Sequence, residues 1–238
     1  MDRAEWMDLL GIGDHEVPRL LVVEPTWWRR RALESRLRDF SSVRELGMPE
    51  LWLGWHGSVP VAFTTAYGAS RVVEPVHALG SCGTPVVVQV GPCSALQPHV
   101  RRGDVVVPER AAIGEGVSAY YGGADVAHAN LGRVTRAVSL LAGHGLHTHR
   151  GAVVTAGARL SQPAELREHW AAQGHLAVDL TCSAVFSVAA AFSMRAAAVL
   201  WCASERTSRP WSLSLREDPP PPQEDLTRTV FDVALALA

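Results

Sequence analysis

The sequence predicts a single α/β domain with a mixed, mostly parallel sheet that is partly barrel-like and is covered by helices on both faces. Three observations predict it. Apolar runs of strand length, rich in β-branched residues, alternate with helical segments along the chain. The runs are continuously apolar rather than alternating, the pattern of strands buried on both faces. With 238 residues, 47% of them hydrophobic, the chain is long enough to bury one large core without disulfides or metals.

The elements follow in order. RLLVV at 19–23 is the first strand, and a helix is expected over 26–39. LWLGWHG, ending at Gly57, reads as a turn, and PVAFTT at 60–65 is the next strand. Gly68 opens a helix over 69–80, PVVVQV at 85–90 is a strand running into a glycine loop, and DVVVP at 104–108 is another strand. A helix over 130–143, a strand GAVVTA at 151–156, helices over 163–173 and 182–194, and the apolar strand AAAVLWCAS before Glu205 come next. The prolines at 219–222, in PPPPQED, are expected to form an exposed elbow before a terminal helix near 224–236. No repeat or linker divides the chain, so one domain spanning 1–238 is expected.

Charge and composition exclude several classes. A formal net charge of −2 and a pI near 6.5 produce no field that would attract nucleic acid or an anionic membrane, so neither partner is expected. The first residues carry Asp2, Glu5, Asp8 and Asp14 and no apolar stretch of signal length, so a cytoplasmic location is expected. Cys82, Cys93, Cys182 and Cys202 occur singly and are expected to be reduced, buried thiols. All 22 basic residues are arginine, which removes Schiff-base chemistry and any lysine phosphate clamp. Arginine, histidine and carboxylates must carry any catalysis, and no cofactor is expected.

A set of motifs resembles one family over about residues 19–207. Gly68 with the helix to Leu79 and Gly80 resembles its glycine turn. Val90, Gly91, Cys93, Ala95, Leu96, Gln97 and Pro98 resemble its V-G-x-C-G-A-L-x-P loop, and Gly103-Asp104-Val105 resembles the G-D-V that starts its next strand. Gly114-Glu115-Gly116-Val117-Ser118 with Tyr120 and Tyr121 is similar to E-G-T-S-x-x-Y, Val154-Thr155 to the start of a T-S-D strand, and Val178-Asp179-Leu180-Thr181 to V-x-M-E before a small-residue helix. The family contains the hexameric purine nucleoside phosphorylases, the uridine phosphorylases and the hydrolytic nucleosidases. On the residues themselves, Gly91 and Gly103 read first as turn glycines and Cys93 as a packed thiol.

The resemblance implies sites that this chain has altered. The family's G-D-P-x-R phosphate segment is here Val23-Glu24-Pro25-Thr26-Trp27, so glycine is Val23 and arginine is Trp27. A second phosphate arginine is replaced by Gln89, and a loop hydroxyl by Pro92. A doubly charged oxyanion needs charge-assisted donors to offset lost hydration, and two cationic ones are missing. Arg29, Arg30, Arg31 or Arg71 would have to rebuild the anion site. Trp27 would make it apolar, favouring a bulkier and less charged ligand. The carboxylate that would accept both ribose hydroxyls is replaced by Thr181, beside Leu180 and near Thr155. Asp179 is open to two readings, an ionisable group of the site or a cap on the following helix. Glu205, after an apolar strand, is read as a general acid with Arg206 orienting it or binding an anionic group, against a surface ion pair.

His144, His147 and His149 form a tract without a downstream acid or cysteine ligand, which is read as a helix-to-strand turn, and no metal is expected. The resemblance further implies a homo-oligomer, a dimer or trimer of dimers. The expected function is phosphate-independent acid–base chemistry on a nucleoside-like or repurposed cyclic small molecule, in nucleoside or specialised metabolism. Phosphorolysis at a rebuilt anion site and non-catalytic binding of a small molecule are the alternatives.

Overall fold

The computed structural model describes residues 1–205 and 224–238. In chain order the elements are α1 (Arg3–Leu10), β1 (Leu20–Val23), α2 (Arg29–Arg36), β2 (Ser41–Glu45), β3 (Leu51–His56), β4 (Val59–Thr64), α3 (Ala69–Cys82), β5 (Val86–Ala95), β6 (Val105–Gly114) and β7 (Val126–His128). They continue with α4 (Leu131–Gly143), β8 (Thr148–Ala156), α5 (Ala164–Ala172), β9 (Ala177–Asp179), α6 (Cys182–Ala191), β10 (Arg195–Ser204) and α7 (Glu224–Leu235).

The strands form one mixed sheet in the order β10-β6-β8-β9-β5-β1-β4-β3-β2, with β7 added to β6. Because β10 also pairs with β5, five of these strands, β5, β10, β6, β8 and β9, close into a barrel-like ring. The parallel pairs β1–β4, β1–β5, β5–β10, β6–β8 and β8–β9 are built from the continuous apolar runs seen in the sequence. Residues 20–23 and 86–88 are buried without interruption, as strands covered on both sides require. One helical group, α1, α3 and α6, packs together, and α4 packs on α7.

The predicted elements are present with corrected limits. The helix expected from residue 26 starts at Arg29, and the one expected to reach 194 ends at Ala191. Residues 51–57 are not all turn: β3 runs to His56 and pairs antiparallel with β4 before Gly57 turns the chain at φ 62°. Gly54 misled the reading, since it is needed for packing. A Cβ there would lie 2.8 Å from the Cβ of Phe40. The expected glycine loop after Val90 is instead strand: β5 continues to Ala95 because β10 stays in register beside it, Leu200 opposite Gly91 and Trp201 opposite Pro92. The proline run at 219–222 lies outside the described residues.

A buried ion pair stitches β1 to the outer layer. Glu24 follows Val23, and its carboxylate accepts from Arg36 Nε at 2.8 Å and from Nη2 at 3.3 Å. The Arg36 guanidinium lies 4.9 Å from the centre of the Phe231 ring on α7. Glu24 therefore helps to fix the loop that carries Pro25, Thr26 and Trp27. Among the described residues no helix is long and apolar enough to cross a membrane.

Candidate functional site

A cleft opens where β1 and β9 end beside the middle of β5. Its walls are Pro25 after β1, Tyr67 after β4, Gln89, Gly91 and Pro92 on β5, Arg159 and Gln162 between β8 and α5, and Val178 to Thr181 where β9 turns into α6. The crevice beyond the carboxyl ends of parallel strands is where such sheets present exposed loop groups without breaking their ladders. Here the β1 end and the adjoining part of β5 form its floor.

The electrostatic centre is Asp179, 4% exposed. Its Oδ1 accepts from Thr155 Oγ1 at 2.7 Å. Its Oδ2 accepts from Cys182 N at 2.8 Å, Thr181 N at 2.9 Å, Gln89 Nε2 at 3.1 Å and Thr181 Oγ1 at 3.4 Å. Thr155 Oγ1 in turn accepts from Ser183 N at 2.9 Å. One carboxylate thus ties β8 and β5 to the entry of α6 and meets first-turn amides whose dipoles favour an anion. Of its two sequence readings, these bonds favour the cap: Oδ2 takes the amides of Thr181 and Cys182 at the entry of α6, while Oδ1 takes Thr155.

Gln89 is held by the same contact. It is 1% exposed; its Nε2 is committed to Asp179, and its Oε1 has no hydrogen-bond partner among the described residues. The assignment of the amide follows from its partner, since a carboxylate accepts and only the NH₂ end can face it. What Gln89 has left is the Oε1 acceptor and the second N–H of the amide, and no charge.

The remaining predicted residues separate into those at the cleft and those behind it. Gly91, Pro92, Leu180 and Thr181 line it. Thr155 and Cys93 are fully buried behind its walls, Thr155 acting through Asp179. A hydrogen bond with Cys202 and burial push the Cys93 thiol well up, and burial does the same to Cys182, so both are protonated packing groups. All four cysteines are free and buried. Trp27, 57% exposed, stands edge-on to Tyr67 with ring centres 5.5 Å apart and flanks the cleft through it, without forming its floor. Val23, where the motif had glycine, is fully buried in β1.

Three of the four arginines expected to rebuild an anion site are engaged elsewhere. Arg29 pairs with Glu50, Arg30 with Glu34 at 3.6 Å, and Arg71 with Glu74 at 2.8 Å and Glu50 at 3.9 Å, the arginines exposed and Glu50 half-buried. The cation that lines the cleft is Arg159, whose Nη1 donates to Tyr67 Oη at 3.3 Å.

Glu205 lies one residue beyond β10, half-buried, with its Oε1 accepting from Arg102 N at 3.3 Å. Trp201 is opposite Pro92 and Ser204 opposite Ser94, so Glu205 sits farther along the ring than the cleft floor and does not share a contact with Asp179. Arg206 lies outside the described residues. A polar path joins the two regions. Gln162 Oε1 accepts from Arg167 Nη1 at 3.3 Å, Arg167 Nη2 reaches Ala95 O at 3.1 Å and Ser94 Oγ at 3.5 Å, and Ser94 Oγ is 2.5 Å from Ser204 Oγ beside Glu205. Sequence reasoning missed Tyr67, Arg159, Gln162, Arg167 and Ser94. A signal existed for one of them, since Ser94 stands where the V-G-x-C-G-A loop has glycine.

Residues 36–230 match the model of a family described as the phosphorylase superfamily. Among solved structures, uridine phosphorylase from Vibrio fischeri ES114 complexed with 6-hydroxy-1-naphthoic acid is 19% identical and superposes with a TM-score of 0.81 over 95% of this chain and 93% of that one. A second structure of uridine phosphorylase from the same organism is 20% identical, with a TM-score of 0.79 over 94% and 93%. At these identities the likeness is one of fold. No sequence among the curated proteins matches the chain significantly.

Proposed function

The chain belongs to the phosphorylase superfamily, and from that premise we propose that it cleaves the glycosidic bond of a nucleoside-like cyclic small molecule with water in place of phosphate. The single observation carrying this reading is the fixed amide of Gln89. Where the family resemblance calls for a cationic phosphate donor, the chain has a buried neutral amide that gives one N–H to Asp179 and keeps an unpartnered carbonyl oxygen, with no positive charge to offer a phosphate. An acceptor repels an oxyanion and suits a ligand hydroxyl or N–H. Pro92 supplies no donor beside it.

In this reading Thr181 and Gln89 recognise the sugar-like part, Asp179 is a positioning residue that orients Gln89 and Thr181, and Glu205 is the general acid. Water attacks the anomeric carbon as the C–N bond breaks, the Glu205 proton goes to the leaving nitrogen, and the proton that the bound water sheds passes through solvent to restore the Glu205 carboxyl. Gly91, Leu180 and Trp27 with Tyr67 bound the ligand. The site lies within one domain of a homo-oligomer, acts in the cytoplasm, and uses no cofactor.

A second reading is favoured by Arg159, a cleft-lining guanidinium able to face an anion: phosphorolysis with a relocated phosphate, or an acidic substrate. One assay separates these. The protein is incubated with a nucleoside panel with and without phosphate, and free base and sugar product are followed together. Base release independent of phosphate, with the free sugar as co-product, is expected. Release that requires phosphate and yields a sugar 1-phosphate would replace hydrolysis by phosphorolysis. Saturable ligand binding with no turnover would mark a non-catalytic binding protein.

A further inference from the structure

We propose that Asp104, His147 and His149 form a binding site for a first-row divalent metal ion of the Zn²⁺ class, with three protein ligands and an open fourth position. The histidine tract has no acid after it in sequence. The fold supplies one from 43 residues before His147. β6 and β8 are parallel neighbours with Val105 opposite Thr148 and Val106 opposite His149, and Val105 N donates to His147 O at 2.9 Å, which brings Asp104 beside the tract. His147 and His149 are two residues apart in extended chain, so both rings emerge on one face.

Their geometry is that of a ligand set. Asp104 Oδ2 is 2.7 Å from His149 Nε2 and 3.2 Å from His147 Nδ1, and one ligand atom from each of the three residues lies within 4.8 Å of the others. Tetrahedral Zn²⁺ with N and O ligands at about 2.0–2.2 Å separates ligand atoms by roughly 3.3 Å, so the three atoms need only small shifts to enclose an ion. Two imidazoles with one carboxylate suit zinc, nickel, copper or iron better than magnesium or calcium, which favour all-oxygen shells.

The surroundings are those of a mounted site rather than a chance surface contact. Arg101 N donates at 2.8 Å to Asp104 Oδ2, the oxygen that also faces the two histidines, and so fixes the orientation of the carboxylate toward them; Oδ1 is the second oxygen the carboxylate can offer an ion. Asp104 and His149 have side chains only 12% exposed while that of His147 is 70% exposed, so the set has an anchored wall and a solvent-facing mouth. The His99 ring, its centre 5.5 Å from that of His149, flanks the set. An ion here would also brace the loop 101–104 that touches the end of β10 through Gly103 N to Cys202 O at 3.0 Å and Cys202 N to Asp104 O at 2.8 Å. This inference is independent of the glycosidic reading.

The test uses tag-free, chelator-treated full-length protein. Calorimetric titration with Zn²⁺ is expected to show one saturable site, and Co²⁺ to give the visible absorption of a low-coordinate nitrogen and oxygen site. His147→Gln, at an exposed side chain that leaves the fold intact by circular dichroism, should weaken Zn²⁺ binding at least about tenfold, as should Asp104→Asn. His144→Gln, at the tract residue outside the set, should leave it unchanged. Absence of saturable Zn²⁺ binding by the unaltered protein, or His147→Gln binding as tightly as the unaltered protein, would overturn the proposal.

Discussion

Gln89 and Asp179, 90 residues apart in sequence, meet at 3.1 Å across the floor of the cleft, and the contact fixes which end of the amide is left over. Asp179 depends on more than this bond, since Thr155 and two backbone N–H groups also donate to it. Asp179→Asn would place an NH₂ group against some of those donors inside a buried site. We expect a loss of about 2–4 kcal/mol in urea unfolding, from the unsatisfied donors and the lost charge at the start of α6. An Asp179→Asn protein as stable as the original would remove Asp179 from its capping role.

Gln89→Leu separates the cleft from the cap. It keeps the volume but deprives Asp179 of one donor among several, so the expected cost is smaller, about 1–2 kcal/mol. Gln89→Arg should instead supply the cation that the motif lacks and pair with Asp179. Its thermal midpoint should rise with added phosphate, while that of the unaltered protein should not. A phosphate-dependent rise in the unaltered protein would favour the Arg159 anion site over hydrolysis.

The ion pair between Glu24 and Arg36 offers a stability test away from the cleft. Both side chains are under a tenth exposed, and the pair is bidentate. Removing one partner leaves an uncompensated buried charge, so Glu24→Gln and Arg36→Met should each cost about 3–5 kcal/mol, and the double variant less than their sum. A double-mutant cycle by chemical denaturation measures the coupling. Strict additivity would mean that the pair contributes nothing specific to the β1 end.

What the sequence made legible follows local pattern, and what it hid follows tertiary contact. Continuous apolar runs revealed the buried parallel strands, and the substitutions Gln89, Pro92 and Thr181 marked the changed cleft because each replaces a residue of different chemistry within a motif. β9 was missed because three residues, Ala177–Asp179, are too few for a period to appear, and β3 because Gly54 reads as a turn until Phe40 is packed beside it. The region from Gly91 to Ala95 looked like a loop because glycine and proline weaken strand propensity. Pairing with β10 overrides that. Arg159 and Arg167 carried no local signal, since one arginine among 22 is distinguished only by what it reaches.

His77 predicts how stability varies with pH. It lies between Trp6, Tyr121 and Phe192, and its Nδ1 is 3.1 Å from Tyr121 Oη. Burial depresses its pKa below the ordinary 6.5, and burial likewise depresses that of His175. The unfolded chain therefore binds protons that the folded chain refuses. The sign is fixed: no contribution well above pH 6.5, and falling stability as pH drops through 6.5 toward the depressed folded values. Urea midpoints between pH 7.5 and 5.5, compared for the original and His77→Gln, should show a shallower decline in the variant. Equal declines would place the titration elsewhere.

Glu205 is the residue on which the proposed reaction turns, and its surroundings allow an isosteric test. It is half-buried and receives Arg102 N at 3.3 Å, a bond that a glutamine carbonyl can also accept. Glu205→Gln keeps the side-chain volume and this acceptor, so the chain should still fold and its loss of stability should be small beside its loss of activity. If Glu205 donates the proton to the leaving nitrogen, kcat should fall about 10²–10⁴-fold with KM little changed, because the interaction operates only in the transition state. A substrate analogue whose leaving group departs without protonation should recover most of that loss. Unchanged kcat in Glu205→Gln, with the substrate identified by the nucleoside panel, would transfer the acid role to another group along the polar path from Ser204 through Ser94 to Arg167 and Gln162.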